Sequence, residues 1–457
     1  MKKINAMPES NFLRAFFALV SACFLITTWL LPDRAAALSG LGRIWTQTCR
    51  ISTNVFEVGG VAATFLNMGL VGLGCTALCF LPGAKAGNTT TLGVLLTVGF
   101  GAWGINPLNM LPTVLGVLLY CLVKREKPGT QVNAMLFSTG IAPLISELLL
   151  RYPATEQIGW NLTGALLALL VGMIIGFFLP AGLAFAPNIH KGYNHYSAAV
   201  PIGFTAFFLR AVLYNVMLGW SIVDVRQLSA AGAPETVAAG ATNLFCLVLF
   251  GLCILLALLM GCTPRDYWKL LKDPGKSVSF TEKYGNATFL MNVGVYGLMI
   301  LGCFNLAGWA DGKTVWTSLT FGIVFCMLCT CNSGSHPGNV WPIVAGYWVA
   351  AYLFGWIFRC FGGDGYGLTI GSQSILIGMC YANGLSPITG KYGFGYGVLA
   401  GGLHYLLVTA VPDLHGGFCL YNGGFTAALV CLLLVPQLEK FCKTKEEKKA
   451  LVGRDRI

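Results

Sequence analysis

Asn109 and Asn339 stand in the same setting half a chain apart. Each lies in the pattern P-x-N-x-x-P-x-V-x-G, running from Pro107 to Gly116 and from Pro337 to Gly346. Within an apolar run such a stretch breaks a helix or starts a new one, because proline removes a backbone donor and frees a carbonyl one turn earlier. The new start points unpaired N–H groups and a positive dipole end into the protein. An asparagine in that first turn can hold a polar solute or simply cap the helix. As a pair, the two starts are expected to face each other across a central cavity, with Pro107, Asn109, Pro337 and Asn339 on its wall. The plainer alternative is two capped helix starts at the membrane surface.

Other polar residues also recur in matched pairs. Glu57 and Glu282 each open an apolar segment. A carboxyl buried in a bilayer is costly unless paired or protonated, which makes either one a candidate coupling acid. An acid at an interfacial helix start explains the same positions, and both readings stand. Asn67 and Asn292 follow ten residues later, about 15 Å deeper along a helix, as inter-helix hydrogen bonds or as solute contacts. His190 and His415 share a Pro-x-x-His setting and could carry protons or lie in polar turns. His195 stands five residues after His190, but His415 has no second histidine at the matching place and no local carboxylate completes a ligand set, so no metal is expected. The spacing of Glu147 and Arg151 predicts an ion pair; the residue matched to Glu147 is Lys391. The chain lacks G-x-x-x-x-G-K-[ST], H-E-x-x-H and G-x-S-x-G, so no cofactor, no enzyme activity and no nucleic-acid partner are expected.

The elements that carry these residues must sit in lipid. Of 457 residues, 56% are hydrophobic and 10% charged, well below the quarter or so typical of soluble domains. Many apolar runs approach the length that crosses about 30 Å of hydrocarbon. The 17 cysteines are scattered singly and read as small apolar packing residues. The first apolar run, Phe12–Leu31, resembles a secretory signal in its flanks but is long for one, and is read as a membrane helix. The net charge of +11 is concentrated in Arg265–Lys283 and in the tail after Lys440. Such runs report topology and anionic lipid.

The chain repeats. Glu57-x-x-Gly60-x-Ala62 through Gly72 matches Glu282-x-x-Gly285-x-Ala287 through Gly297. The proline pattern follows in each half, then Gly140-Ile141-Ala142-Pro143 against Gly384-Leu385-Ser386-Pro387. Pro187–Tyr193 then matches Pro412–Phe418, with Tyr196 and Tyr421 aligned beyond, and Gly203–Ala206 matches Gly424–Ala427. Blocks in one order imply a tandem duplication, roughly residues 1–225 and 226–439, with a basic tail over 440–457 that is disordered or interfacial. The expected fold is an all-α integral membrane protein of about 14 transmembrane helices, seven per half, some broken or short. An odd number of spans per half inverts the second repeat. If the Gly-rich runs 89–104 and 314–331 are re-entrant, each half has six spans and the repeats are parallel. With both termini cytoplasmic, Lys85, Lys124, Lys191, Lys391 and the tail fall inside, as the positive-inside rule asks.

Phe56-Glu57-Val58-Gly59-Gly60 through Gly72, Asn106-Pro107-Leu108-Asn109 through Pro112, and Gly140–Glu147 resemble an uncharacterised family of bacterial polytopic membrane proteins, a domain of unknown function common in Gram-positive anaerobes. The resemblance covers nearly the whole chain and implies no activity or site residues. The seven-plus-seven plan is also similar to the nucleobase and sulfate/bicarbonate transporter fold, in architecture alone.

The expected function is secondary transport of a small polar solute across the bacterial cytoplasmic membrane, driven by protons or sodium. The partners expected are the lipid bilayer and the solute, and a homo-oligomer is compatible with the chain. A passive channel for a neutral solute and a membrane-embedded enzyme or sensory subunit are the alternatives.

Overall fold

The computed structural model describes residues 2–51, 53–152, 159–215 and 235–454. The boundary expected near residue 225 lies outside them. Every regular element described is helical. In the first half these are α1 (Glu9–Leu30), α2 (Ala37–Trp45), α3 (Val55–Gly59), α4 (Val61–Leu78), α5 (Asn88–Gly101), α6 (Pro107–Lys124), α7 (Val132–Ser138), α8 (Ala142–Leu150), α9 (Leu162–Phe185), α10 (Pro187–His190) and α11 (Ala199–Asn215). In the second they are α12 (Glu235–Leu259), α13 (Pro264–Leu270), α14 (Phe280–Tyr284), α15 (Asn286–Ala310), α16 (Ser318–Leu328), α17 (Pro337–Cys360), α18 (Gln373–Ala382), α19 (Ser386–Tyr392), α20 (Phe394–Val408), α21 (Val411–His415) and α22 (Asn422–Phe441). The second series repeats the order of the first: α1 corresponds to α12, α2 to α13, and so on to α11 and α22.

Among the described residues, nine helices are long and apolar enough to cross a membrane. That differs from the fourteen spans expected. α5 and α16 have only 14 and 11 residues, about 21 and 16 Å of rise. The segment 373–392 is divided between α18 and α19 by a single 3-10 turn, Asn383–Leu385. Hydropathy counts an apolar run as a span whether or not its helix is continuous.

Local chemistry explains the breaks. α3 and α14 are set off from α4 and α15 by Gly60 and Gly285, at φ 96° and 85°, a region that favours glycine. α6 begins at Pro107, with the Asn106 side chain accepting from the N–H groups of Leu108 and Asn109 at 3.0 and 3.2 Å. Of the two alternatives for the tail, disorder does not hold over Lys445–Arg454. Lys445–Arg454 is helical, and the Lys448 ammonium lies 5.6 Å from the centre of the Tyr396 ring.

The two halves meet along α5 and α16, which run antiparallel. Asn88 O accepts from Ser333 at 3.5 Å, Thr91 Oγ1 from Asn332 at 3.3 Å and Leu96 O from Cys326 at 3.8 Å, and Leu319 O accepts from Trp103 at 2.9 Å. Glycines allow this approach: a Cβ on Gly99 would lie 2.4 Å from Gly322 O, and one on Gly322 would lie 2.3 Å from Gly99 O. Small residues at such crossings let backbones come together in lipid, where packing rather than water exclusion holds helices in contact.

Candidate functional site

The matched asparagines have matched structural tasks. Asn67 Nδ2 donates to Gly101 O and Ile105 O at 2.8 and 2.7 Å; Asn292 Nδ2 donates to Cys331 O and Ser335 O, both at 2.9 Å. Each therefore ties a long helix to the turn that follows α5 or the 3-10 turn after α16. Asn109 Oδ1 accepts from Asn106 N at 2.9 Å while its Nδ2 donates to Gly104 O at 3.1 Å. Asn339 repeats this with His336 N at 3.0 Å and Gly334 O at 2.9 Å. All four are buried with their amides on the chain's own backbone, and none borders the largest cavity.

Nor do the two proline starts face each other. Asn106–Asn109 lies at the Trp103–Leu319 end of the α5/α16 crossing, where Asn109 contacts Cys49. His336–Asn339 lies at the Asn88–Ser333 end, where His336 Nε2 meets Asp273 O at 2.9 Å. The correction has a geometric reason. The antiparallel crossing is centred near Leu96 and Cys326, and matched residues meet only near that centre. Asn106 is ten residues farther along the chain.

Glu57 and Glu282 sit on the short helices α3 and α14, not in the long helices that follow. Glu57 accepts from Asn54 at 2.8 Å. Glu282 is exposed, and the nearby Glu9 carboxylate raises its pKa. Glu282 is thus not enclosed by the protein, as a buried coupling acid would be. His415 is fully buried, with Nε2 on Asn422 Oδ1 at 2.9 Å. His190 Nε2 makes the matched contact with Ser197 Oγ at 2.8 Å, and both residues border the largest cavity.

That cavity holds about 630 Å³. Its polar wall includes Asn88, Asn133, Asn194, Gln131, Ser277 and Ser333, drawn from the start of α5, the start of α7 and three loops. A smaller cavity of about 290 Å³ is lined by residues that include Trp103, Ser374, Tyr381, Thr409, Pro412 and Asn422. The two are related by the repeat: Phe137 in the first matches Tyr381 in the second, Pro187 matches Pro412, and Ser197 matches Asn422. They also lie at opposite ends of the crossing, one beside Asn88 and the other beside Trp103.

Between them the broken helices meet. The 3-10 turns Thr139–Ile141 and Asn383–Leu385 interrupt α7–α8 and α18–α19, with Pro143 and Pro387 opening the next turn. Each turn is covered by a tyrosine from the other half. A Cβ on Gly140 would lie 1.9 Å from the Tyr421 ring, and one on Gly384 would lie 2.5 Å from the Tyr196 ring. The Tyr196 hydroxyl donates to Asn383 Oδ1 at 2.7 Å and to Cys326 O at 2.8 Å as alternative acceptors. Tyr421 packs edge-on against Phe100 and Phe137, with centroids 5.2 and 6.4 Å away, and Tyr196 against Tyr381 at 5.2 Å. Phe137 lines the larger cavity and Tyr381 the smaller, so these ring contacts lie between the two.

Beside the smaller cavity is a buried ion cluster. Glu147 accepts from Arg50 at 2.8 Å and from Arg151 at 2.7 Å, and neither Arg50 nor Glu147 reaches solvent. The spacing of Glu147 and Arg151 announced half of it. Arg50 comes from nearly a hundred residues away, and nothing local marked it. Apart from His190, the polar residues named on the cavity wall were also missed, because they stand at helix starts and in loops outside the paired polar positions.

Long apolar helices, broken segments and a polar cavity between packed bundles define a multi-pass helical membrane protein. The chain belongs to the family described as Protein of unknown function (DUF1576), which matches residues 34–217 and again residues 262–440. Comparison with curated proteins and with solved structures returned no match.

Proposed function

We propose that the protein is a secondary carrier that moves a small polar solute by alternating access, built as two inverted repeats of seven helical segments. The observation that carries this reading is the pair of repeat-related cavities at opposite ends of the molecule, unequal in size and separated by the aromatic layer of Phe137, Tyr421, Tyr196 and Tyr381. Two halves in inverted orientation can exchange conformations, so that the cavity open on one side closes as its partner opens. The antiparallel crossing of α5 and α16 supports inversion over a parallel arrangement. The aromatic layer between the cavities favours a carrier over an open pore.

The face that bears Lys85, Lys124, Lys191 and Lys391 is the cytoplasmic one by the positive-inside rule, in a cell membrane. The solute site is the larger cavity, with Asn88, Asn133, Asn194 and His190 as its contacts. Of the four coupling candidates, His190 is the one on that wall.

The test is flux into proteoliposomes across a panel of radiolabelled anions, neutral solutes and cations. Saturable uptake that shows counterflow is expected. Absence of saturable uptake for every class overturns the reading.

A further inference from the structure

Resting on the carrier reading, we infer that the solute is a small oxyanion, a carboxylate or phosphate, whose charged group sits at the rim of the larger cavity between Lys276 and Lys391. No Asp, Glu, Lys or Arg is among the described residues that line this cavity. Its charges stand at the edge. Lys276 precedes the lining residue Ser277, and Tyr193 lies between the lining residues Gly192 and Asn194. The Lys276 ammonium is 3.7 Å from the centre of the Tyr193 ring, and Lys391 donates to the Tyr193 hydroxyl at 2.9 Å. Both lysines are half-buried, and neither forms an ion pair with a carboxylate among the described residues. The nearby Glu439 is bound to Lys191 at 2.6 Å. Burial lowers the pKa of Lys276 and Lys391 lowers it further, while the Glu439 carboxylate offsets part of this.

The repeat shows how the same arrangement looks when the chain supplies its own anion. At the other end, Arg50 stands over the Phe418 ring at 5.5 Å, next to the lining residue Ile51 of the smaller cavity. Phe418 matches Tyr193, and Ile51 matches Lys276. There the Glu147 carboxylate joins Arg50 to Arg151. The residue matched to Glu147 at the larger cavity is Lys391. A cation has replaced the carboxylate, so two ammonium groups converge on one tyrosine where the other half has an internal ion pair. A topological excess of lysine on one face does not explain a cation on an aromatic ring beside both cavities. An oxyanion from solution restores the missing negative charge, and the neutral amides and hydroxyls of the wall bind the rest of the solute.

The experiment uses the full chain in nanodiscs of phosphatidylcholine. Thermal unfolding is followed with sodium acetate, sodium succinate or sodium phosphate, against sodium chloride, urea and choline chloride at matched ionic strength. Saturable stabilisation by at least one oxyanion is expected. Lys276→Gln and Lys391→Gln each weaken its Kd by about tenfold or more, whereas Lys276→Arg and the tail variant Lys440→Gln retain it. Unchanged unfolding midpoints without anion show that the variants are folded. Stabilisation by no oxyanion beyond chloride overturns the proposal, as does binding indifferent to both lysine changes. Stabilisation that appears only when phosphatidylglycerol is added places the anion on a lipid headgroup and overturns the solute assignment. Oxyanion binding without flux in liposomes removes the carrier reading and leaves the site. Saturable uptake of a neutral or cationic solute, unaffected by the two lysines, removes the oxyanion and leaves the carrier.

Discussion

The loops Pro187–Ser197 and Pro412–Asn422 are one loop used twice, and beside their different side chains they differ in how the same tyrosine hydroxyl is bonded. In both, a histidine bonds to the residue seven positions later, His190 to Ser197 at 2.8 Å and His415 to Asn422 at 2.9 Å. In both, a backbone N–H reaches the glycine carbonyl in the other half's broken helix: His195 to Gly384 and Leu420 to Gly140, each at 3.0 Å. In both, a tyrosine ring then lies on that glycine. The Tyr196 hydroxyl finds two acceptors, whereas the Tyr421 hydroxyl is buried without a partner among the described residues. A buried, unpaired hydroxyl costs about 1–3 kcal/mol. Two copies in equivalent surroundings would share that fate or both avoid it. The duplication is therefore symmetric in backbone design and asymmetric in side-chain surroundings: Asn383, which accepts from Tyr196, is matched by Thr139 beside Tyr421, and the two cavities are unequal.

That comparison can be broken most forcefully at the charged ends. Glu147→Gln leaves Arg50 and Arg151 without the carboxylate that joins them, and a loss of about 3–5 kcal/mol is expected. Lys391→Gln at the matched position removes one of two neighbouring ammonium groups and should change stability by less than about 1 kcal/mol. Chemical unfolding in detergent measures both. Similar losses would mean that the two ends are not electrostatically different.

Next in size are the glycines under the tyrosines. Gly140→Ala and Gly384→Ala each drive a methyl into an aromatic ring, at about 1–3 kcal/mol. Gly140→Ala should be the worse, because its Cβ would lie 1.9 Å from the ring against 2.5 Å. A wild-type unfolding midpoint for Gly140→Ala would dissolve the tight contact claimed here.

Asn67→Leu and Asn292→Leu test where symmetry should hold. Each leaves two buried carbonyls without their side-chain donor, at about 1–2 kcal/mol. The two losses should agree to within about 0.5 kcal/mol, since the hydrogen bonds match. Unequal losses would show that the asymmetry extends beyond the tyrosine layer.

The smallest contrast is the most specific. Tyr196→Phe is expected to cost about 1 kcal/mol, and Tyr421→Phe to be neutral or slightly stabilising. Thermal unfolding of both variants in one lipid composition reads the difference. A costly Tyr421→Phe would reveal a partner for that hydroxyl and remove the asymmetry from which the comparison began.

Much of the architecture was legible before any coordinates. The scarcity of charge and the apolar runs placed the chain in a membrane. The matched blocks marked the duplication, Gly140–Pro143 with Gly384–Pro387 among them, but the helix breaks at those two blocks were not foreseen. The site was less legible. Asn109 and Asn339 were assigned to a solute because polar residues beside prolines stand out in an apolar sequence. Their amides proved to bond the turns from which their own helices start. The cavity wall uses Asn88, Asn133, Asn194 and Ser277, which lie in different connections and share no pattern along the chain.

The sequence by itself determined what acts over a few residues: that helices start at Pro107 and Pro337, that the chain is apolar enough for a membrane, and that one plan was written twice. Proline geometry, side-chain capping and glycine's tolerance of positive φ are local effects and leave local marks. Only the tertiary structure decided which of the duplicated parts come together. The glycine contact of Gly99 with Gly322 sets an antiparallel crossing, and from it follow the separation of the proline motifs to opposite ends and the meeting of Tyr196 and Tyr421 with the breaks of the opposite halves. The pairing of Arg50 with Glu147 has the same origin. Those contacts join residues roughly a hundred or more positions apart, and their energies depend on shapes that no local pattern encodes.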